Sequence, residues 1–240
     1  MLYLIGIGLW DENDITLKGL DILKECKDVY IETYTNKWQG NLNDLDGMIG
    51  KPVKTLERSE VESEFLSDEA KTKDIALLIS GDPLAATTHV QLIKDCKKKN
   101  VKVKIVHNSS ILTAVGECGL SLYKFGRTTT LVRPTENYNP KSPYKIIKKN
   151  KENDLHTLIL LDIGEKPMTV NEGVKFLKDM DEDGIVDTLI AGVKLGSDDS
   201  KIVYNHYKNI DMDKYPGFLV VPGKIDENEK EAIKCLLKKN

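Results

Sequence analysis

Charge of one sign is missing from this sequence: 35 basic residues stand against 38 acidic ones, for a net charge of −3. No overall field therefore draws the chain to a nucleic-acid backbone or to an anionic membrane, and only a local patch could bind RNA. Long apolar runs are missing too. None approaches the roughly 20 residues that cross a bilayer, and the N-terminus has no basic stretch ahead of a long hydrophobic segment. The expectation is a cytoplasmic protein with neither membrane nor nucleic acid as its partner. Cysteine is scarce and scattered: Cys26, Cys96, Cys118 and Cys235 have neither zinc-ligand nor redox spacing. All but Cys118 fall at inward positions of lysine-rich helical patterns, so those three read as inert core thiols. No serine nucleophile elbow, HExxH helix, Walker loop or paired acid–base carboxylate signature occurs.

What is present is alternation. The 240 residues, 40% hydrophobic, suffice for one large core or two modest ones. The first half sets short β-type runs, "LYLIGIG" (2–8), "VYIETYT" (29–35), "PVKTL" (52–56), "IALLIS" (75–80) and "VKVKIVH" (101–107), among helix-period segments at 16–27, 58–72, 89–99 and 110–119. Five strands with interposed helices predict one doubly wound, mostly parallel sheet. After "GLSLYKFGR" (119–127) polar stretches lengthen. The boundary expected there divides an N-terminal α/β domain, 1–122, from a C-terminal one, 123–240. The second half reads as strand 128–134, helix 142–153, strand 157–163, helix 169–180, strands 188–195, 201–207 and 217–223, and a helix through 226–239. Three late strands with little helix between them predict a mixed or antiparallel sheet with helices.

Two loops at strand ends draw the eye. Gly6-Ile7-Gly8-Leu9 precedes a helix, as a phosphate-binding turn would, but Asp11 replaces the third glycine and "DEND" (11–14) sets carboxylates where a pyrophosphate should sit. A tight strand-to-helix turn with Asp14 as N-cap is the better reading. In "GDPLAATTHV" (81–90), Gly81 ends the strand, Pro83 fixes the backbone and Thr87 or Thr88 can cap the next helix. That loop also lies where open α/β sheets form their ligand crevice, and Leu84, Ala85 and Ala86 suit an apolar ligand face. Both readings stand on these residues alone. In "VHNSSILTAV" (106–115), Ser110 is a helix-cap candidate, while His107 and His89 read as satisfied structural histidines. Backbone, small residues and one or two carboxylates suit a cofactor that brings its own reactive group.

In order, "MLYLIGIGLWDENDITLKGL", "VYIETYT", "SGDPLAATTH", "VHNSSILTAVGECGLSLYKFG" and "LHTLILLDI" closely resemble the diphthine synthases, a branch of the tetrapyrrole-methylase superfamily. The resemblance implies a two-domain tetrapyrrole-methylase-like fold with S-adenosylmethionine in the cleft between the domains, in a homodimer. By motif, the cofactor contacts it implies are Leu9, Asp82, Ala85, Ser110 and Ile111 from the first domain, and Leu161 and Leu195 from the second. Gly217 stands where family members often carry histidine, so only a backbone contact carries over there. The implied catalytic residue is unknown. The substrate implied is translation elongation factor 2, at a histidine bearing a 3-amino-3-carboxypropyl group whose amine is methylated repeatedly. The shortness of the chain leans toward three methyl groups on nitrogen rather than an added ester. Two alternatives remain: a tetrapyrrole-precursor methyltransferase, disfavoured because the only arginines are Arg58, Arg127 and Arg133, and a non-catalytic S-adenosylmethionine-binding module.

Overall fold

The structure, a computed structural model, describes residues 1–136, 138–164 and 166–237. The chain divides into two compact units, Met1–Leu112 and a second from Thr113 onward.

The first unit is built on five parallel strands, β1 (Leu2–Gly6), β2 (Asp28–Glu32), β3 (Val53–Leu56), β4 (Ile75–Ile79) and β5 (Val103–Val106), in the order β3-β2-β4-β1-β5. β4 is apolar and buried at every position, as a central parallel strand must be. Alternate side chains serve opposite faces. Leu4, Tyr30, Leu77 and Ile79 pack with Leu66 of α4 (Phe65–Thr72) and Leu92 of α5 (Val90–Lys98). Ile5, Ile31 and Leu78 pack with Leu23 of α1 (Leu17–Glu25) and Leu45 of α2 (Leu42–Ile49). Helices on both faces make the sheet doubly wound, as expected.

Four local expectations change. Helix α2 has no counterpart in the sequence reading, although Asn41 caps it and Gly50 closes it at φ +79°. The single acidic helix expected over 58–72 is two, α3 (Arg58–Val61) and α4. Ser63 separates them, its hydroxyl donating to the Glu60 carbonyl and accepting from Phe65 N–H. Thr16, not Asp14, caps α1 by accepting from Gly19 N–H at 3.0 Å. Neither Thr87 nor Thr88 caps α5, whose N-cap position is His89 without a side-chain cap; the Thr87 hydroxyl donates instead to the Pro83 carbonyl.

The helix expected over 110–119 is one α-turn, α6 (Ile111–Ala114), continued by a 3₁₀ turn, Val115–Cys118. In the second unit the sheet is mixed, as expected: β6 (Thr129–Leu131) runs parallel to β7 (Thr157–Leu161), and β10 (Gly217–Val221), β8 (Thr188–Val193) and β9 (Lys201–His206) continue antiparallel in the order β6-β7-β10-β8-β9. One apolar core joins Ile159, Leu189 and Leu219 to Ile147 of α7 (Ser142–Glu152) and Leu177 of α8 (Val170–Asp179). The last helix, α9, runs Glu227–Leu236, and the expected end at 239 lies outside the described residues.

Helix α9 buries two groups one turn apart, Glu229 and Ile233. That phase turns Cys235 outward, so the expectation of a core thiol there is wrong. The buried cysteines are Cys26, Cys96 and Cys118; burial pushes the Cys26 and Cys118 thiols up to about 11, which leaves them protonated. Glu229 gathers the segment 119–126 beneath α9. Its carboxylate accepts from Ser121 N–H (2.9 Å), Lys124 Nζ (2.5 Å) and His156 Nε2 (3.1 Å). His156 Nδ1 accepts from Gly223 N–H at 3.0 Å, which fixes the Nε2–H tautomer. Burial opposes ionisation of Glu229, but these partners outweigh it and hold the carboxyl at about 2.

Candidate functional site

In the first unit the chain leaves β1, β4 and β5 at one edge of the sheet, and the three loops bind one another there. Gly8 and Gly81 exchange backbone hydrogen bonds at 3.3 and 2.7 Å. Both have positive φ, +80° and +73°, and Gly81 starts the loop there at no steric cost. Asn108, after β5, donates from Nδ2 to the carbonyls of Gly6 and Asp14, each at 2.9 Å. This edge therefore carries Leu9, Asp82, Ala85 and Ser110 on three loops, with Ile111 opening α6; the first two loops are fastened backbone to backbone and the third through the Asn108 side chain.

The "DEND" carboxylates have specific tasks. Asp14 accepts from the N–H groups of Leu9 (3.0 Å) and Trp10 (2.7 Å), and Asp11 caps the short 3₁₀ turn Glu12–Asp14. The donors that a phosphate would need are already bound to a carboxylate, which removes the dinucleotide reading.

Asp82 is the charged centre of the loop after β4. Its side chain is 13% exposed; it accepts from Leu84 N–H (2.9 Å) and Asn108 N–H (3.2 Å) and meets His107 Nδ1 at 2.7 Å. Burial acts to raise its pKa, but these hydrogen bonds outweigh it and hold the carboxyl below the usual range. Ala86 takes φ +58°, a left-handed conformation that costs an alanine about 1–2 kcal/mol. Backbone strain of this kind gathers at functional sites. His107 is thus a partner of Asp82. His89 is buried, and its ring nitrogens make no hydrogen bond of regular geometry among the described residues; the Pro83 carbonyl is the backbone partner that acts on the ring.

The sequence reading missed Glu32. At the end of β2 it is 1% exposed and accepts from Tyr34 N–H (3.0 Å), Thr35 N–H (3.0 Å) and the Thr35 hydroxyl. Burial pushes its carboxyl up. A lone glutamate closing an apolar strand before "TYT" was the available signal.

In the second unit, Leu161 ends β7, Leu195 follows β8 and Gly217 opens β10. Antiparallel pairing brings them to one sheet edge: Gly217 is opposite Val193, Phe218 is opposite Leu160, and Lys194 N–H donates to the Pro216 carbonyl at 2.9 Å. A Cβ on Gly217 would lie 2.6 Å from Val170 Cγ2 and 3.0 Å from the Gly192 carbonyl oxygen. This packing leaves a side chain no room there.

An anionic loop centre without a phosphate cradle suits a cationic cofactor, and a sulfonium is one. The family model described as Tetrapyrrole (Corrin/Porphyrin) Methylases matches residues 1–211. The chain belongs to that family, the class of S-adenosylmethionine-dependent methyltransferases with this pair of sheets. Within it the chain belongs with the diphthine synthases. It is 44% identical over 253 residues to a diphthine synthase of Methanocaldococcus jannaschii, with 98% of both chains covered. It is 41% identical over 251 residues to one from Methanococcus maripaludis, again with 98% of both covered. A solved diphthine synthase structure aligns with TM-score 0.92 at 34% identity, covering 98% of this chain and 95% of the other.

Proposed function

We propose that the chain transfers methyl groups from S-adenosylmethionine to the amine of the 3-amino-3-carboxypropyl-histidine of translation elongation factor 2, three times on nitrogen, in diphthamide biosynthesis. The observation that carries this reading is Asp82: an ionised, largely buried carboxylate on a strained loop at the carboxyl edge of a parallel sheet, in a chain that belongs with the diphthine synthases. The residues we assign to the cofactor are Leu9, Asp82, Ala85, Ser110 and Ile111 from the first unit, and Leu161, Leu195 and the Gly217 backbone from the second.

S-adenosylmethionine, when bound, supplies a methyl group already activated by a sulfonium leaving group. What remains for the protein is to bind, to orient and to exclude water. Asp82 provides the countercharge for a cation, and its three hydrogen-bond partners fix the carboxylate plane. The loop backbone near Ala85 provides an apolar rest. The acceptor amine must be neutral to react, and solvent takes its proton. A pH profile of single-turnover transfer then shows only the ionisation of the substrate amine; a second ionisation would assign the proton to a protein base.

We infer that the enzyme works as a cytoplasmic homodimer. No helix among the described residues is long and apolar enough to cross a membrane, and sedimentation equilibrium should return twice the 27.0 kDa of one chain. The tetrapyrrole alternative needs free arginines for a carboxylate-rich macrocycle. Of the three arginines two are engaged: Arg58 is paired with Glu62 at 2.8 Å, and Arg133 binds Glu172 through both terminal nitrogens at 2.9 Å each. Mass spectrometry of elongation factor 2 carrying the unmethylated side chain tests the main reading: three added methyl groups on nitrogen are expected, and no transfer despite tight S-adenosylmethionine binding would leave a binding module instead.

A further inference from the structure

A fourth loop reaches the sheet edge where the cofactor loops meet. It follows β2 as segment 33–41 and is fastened on both sides. Glu32 holds its start by accepting from the N–H groups of Tyr34 and Thr35, each at 3.0 Å. Asn36 Nδ2 donates at 2.8 Å to the hydroxyl of Ser80, which directly precedes Gly81-Asp82. On the other side, Gln39 N–H donates to the carbonyl of Trp10, next to Leu9, at 3.2 Å, and Asn41 N–H donates to Glu12 Oε2 at 3.0 Å. Lys37 therefore stands between a tie to the Asp82 loop and a tie to the Leu9 loop.

Lys37 is half-buried, and its ammonium has no acceptor among the described residues. The other half-buried lysines among those residues each have one. Lys51 donates to the Lys24 and Cys26 carbonyls, and Lys73, Lys99, Lys124, Lys178 and Lys194 pair with Asp28, Asp68, Glu229, Asp181 and Asp199. Taking an ammonium partly out of water without a partner costs free energy, and the chain avoids that cost everywhere else. Asp82 does not neutralise Lys37: its polar partners are His107 and the N–H groups of Leu84 and Asn108. An unpaired ammonium held between two ligand loops points to an anion that arrives with a ligand.

Repeated methylation of one nitrogen narrows the anion. In each round the amine lone pair forms a bond to the methyl carbon, the carbon–sulfur bond breaks with its pair going to sulfur, and any remaining proton leaves to solvent. The amine loses its N–H groups one at a time and ends as a permanent cation, so it offers no constant handle. The carboxylate of the 3-amino-3-carboxypropyl group keeps its charge and its acceptor oxygens through every round. A lysine ammonium is a point charge with rotatable donors on a flexible stem, and it can stay on that carboxylate while the nitrogen grows. S-adenosylmethionine carries an amino-acid carboxylate of the same kind, so a test must separate the two.

We propose that Lys37 binds the carboxylate of the acceptor side chain and so selects an amine that carries a carboxylate on the same carbon. The proposal rests on the acceptor assigned under the proposed function. Its test has a kinetic arm and a binding arm. Lys37→Met removes the charge at nearly constant length, and because the ammonium has no partner the melting point should stay at the wild-type value. KM for elongation factor 2 carrying the unmethylated side chain should rise by about tenfold or more, with Lys37→Arg recovering part of the loss. Affinity for S-adenosylhomocysteine, which keeps the cofactor's carboxylate, should stay within about twofold. In the binding arm, 2-aminobutyrate titrated into the S-adenosylhomocysteine complex should shift the backbone amide signals of segment 33–41 saturably, propylamine should not, and Lys37→Met should abolish the response. An unchanged KM in Lys37→Met overturns the assignment, as does a wild-type loop that does not respond to 2-aminobutyrate. A parallel loss of S-adenosylhomocysteine affinity overturns it too, because Lys37 would then hold the cofactor. If 2-aminobutyrate shifts the loop but the wild-type enzyme leaves elongation factor 2 unmethylated, the carboxylate site stands and the acceptor named above is wrong.

Discussion

At the scale of single residues, the carboxylates divide into those that only shape loops and the one that holds its loop and that we also propose for a ligand. Asp14 belongs to the first kind. Asp14→Ala leaves the N–H groups of Leu9 and Trp10 without their acceptor and should cost about 1–3 kcal/mol of stability, read as a lower urea midpoint with an unchanged slope. Asp82 belongs to the second. Asp82→Asn keeps the shape and an acceptor for Leu84 N–H but removes the countercharge, so calorimetry should show S-adenosylmethionine affinity falling by about tenfold or more. Unchanged affinity would remove Asp82 from the site. The loop carrying Asp82 was legible in the sequence because glycine, proline and a strand end are local signals. The task of Asp14 was not, since a cap and a loop anchor look the same until the donors are placed.

At the scale of elements, the motif "GLSLYKFG" turns out to serve the fold of the second unit. Ser121 and Lys124 are tied to Glu229 of α9, and Ser121 lies 108 residues away from it in sequence. Glu229→Gln removes the charge that Lys124 and the Ser121 N–H meet, and should lower stability by about 2–3 kcal/mol. Thermal unfolding would read this as a drop of roughly 2–4 °C for each kcal/mol. Gly217 opens β10 under a different constraint: Gly217→Ala forces a methyl against Val170 and the Gly192 carbonyl, at about 1–3 kcal/mol. A melting point equal to wild type would show that β10 yields there. Helix α2 escaped the sequence reading because its asparagines and aspartates resemble a loop, although Leu42, Leu45 and Ile49 share one helical face.

At the scale of the whole molecule, acid should unfold the protein in two stages. His156 and His89 are held neutral by burial, the latter with its pKa down to about 4. The unfolded chain takes up these protons first, so stability declines as pH falls below the ordinary histidine value of roughly 6.5. The carboxyls of Asp28, Glu172 and Glu229 are each held at about 2, chiefly by Lys54, by Arg133 and by Lys124 with its neighbours. Their contribution is complete above the unfolded carboxylate values and is lost as pH falls from about 4.5 toward 2. Urea midpoints between pH 7.5 and 3 should show a shallow limb and then a steep one, and His89→Gln should flatten the first. By itself the sequence determined the order and type of nearly all elements, the parallel first sheet, the mixed second one and the loops that end its strands, because periodicity, strand-end glycines and caps act over a few residues. Only the tertiary structure decided that Glu229 clamps a distant turn, that Gly217 is packed against Val170 and the Gly192 carbonyl, and that His89 is buried. Desolvation and pairing are set by groups far away in the chain, and no local pattern records them.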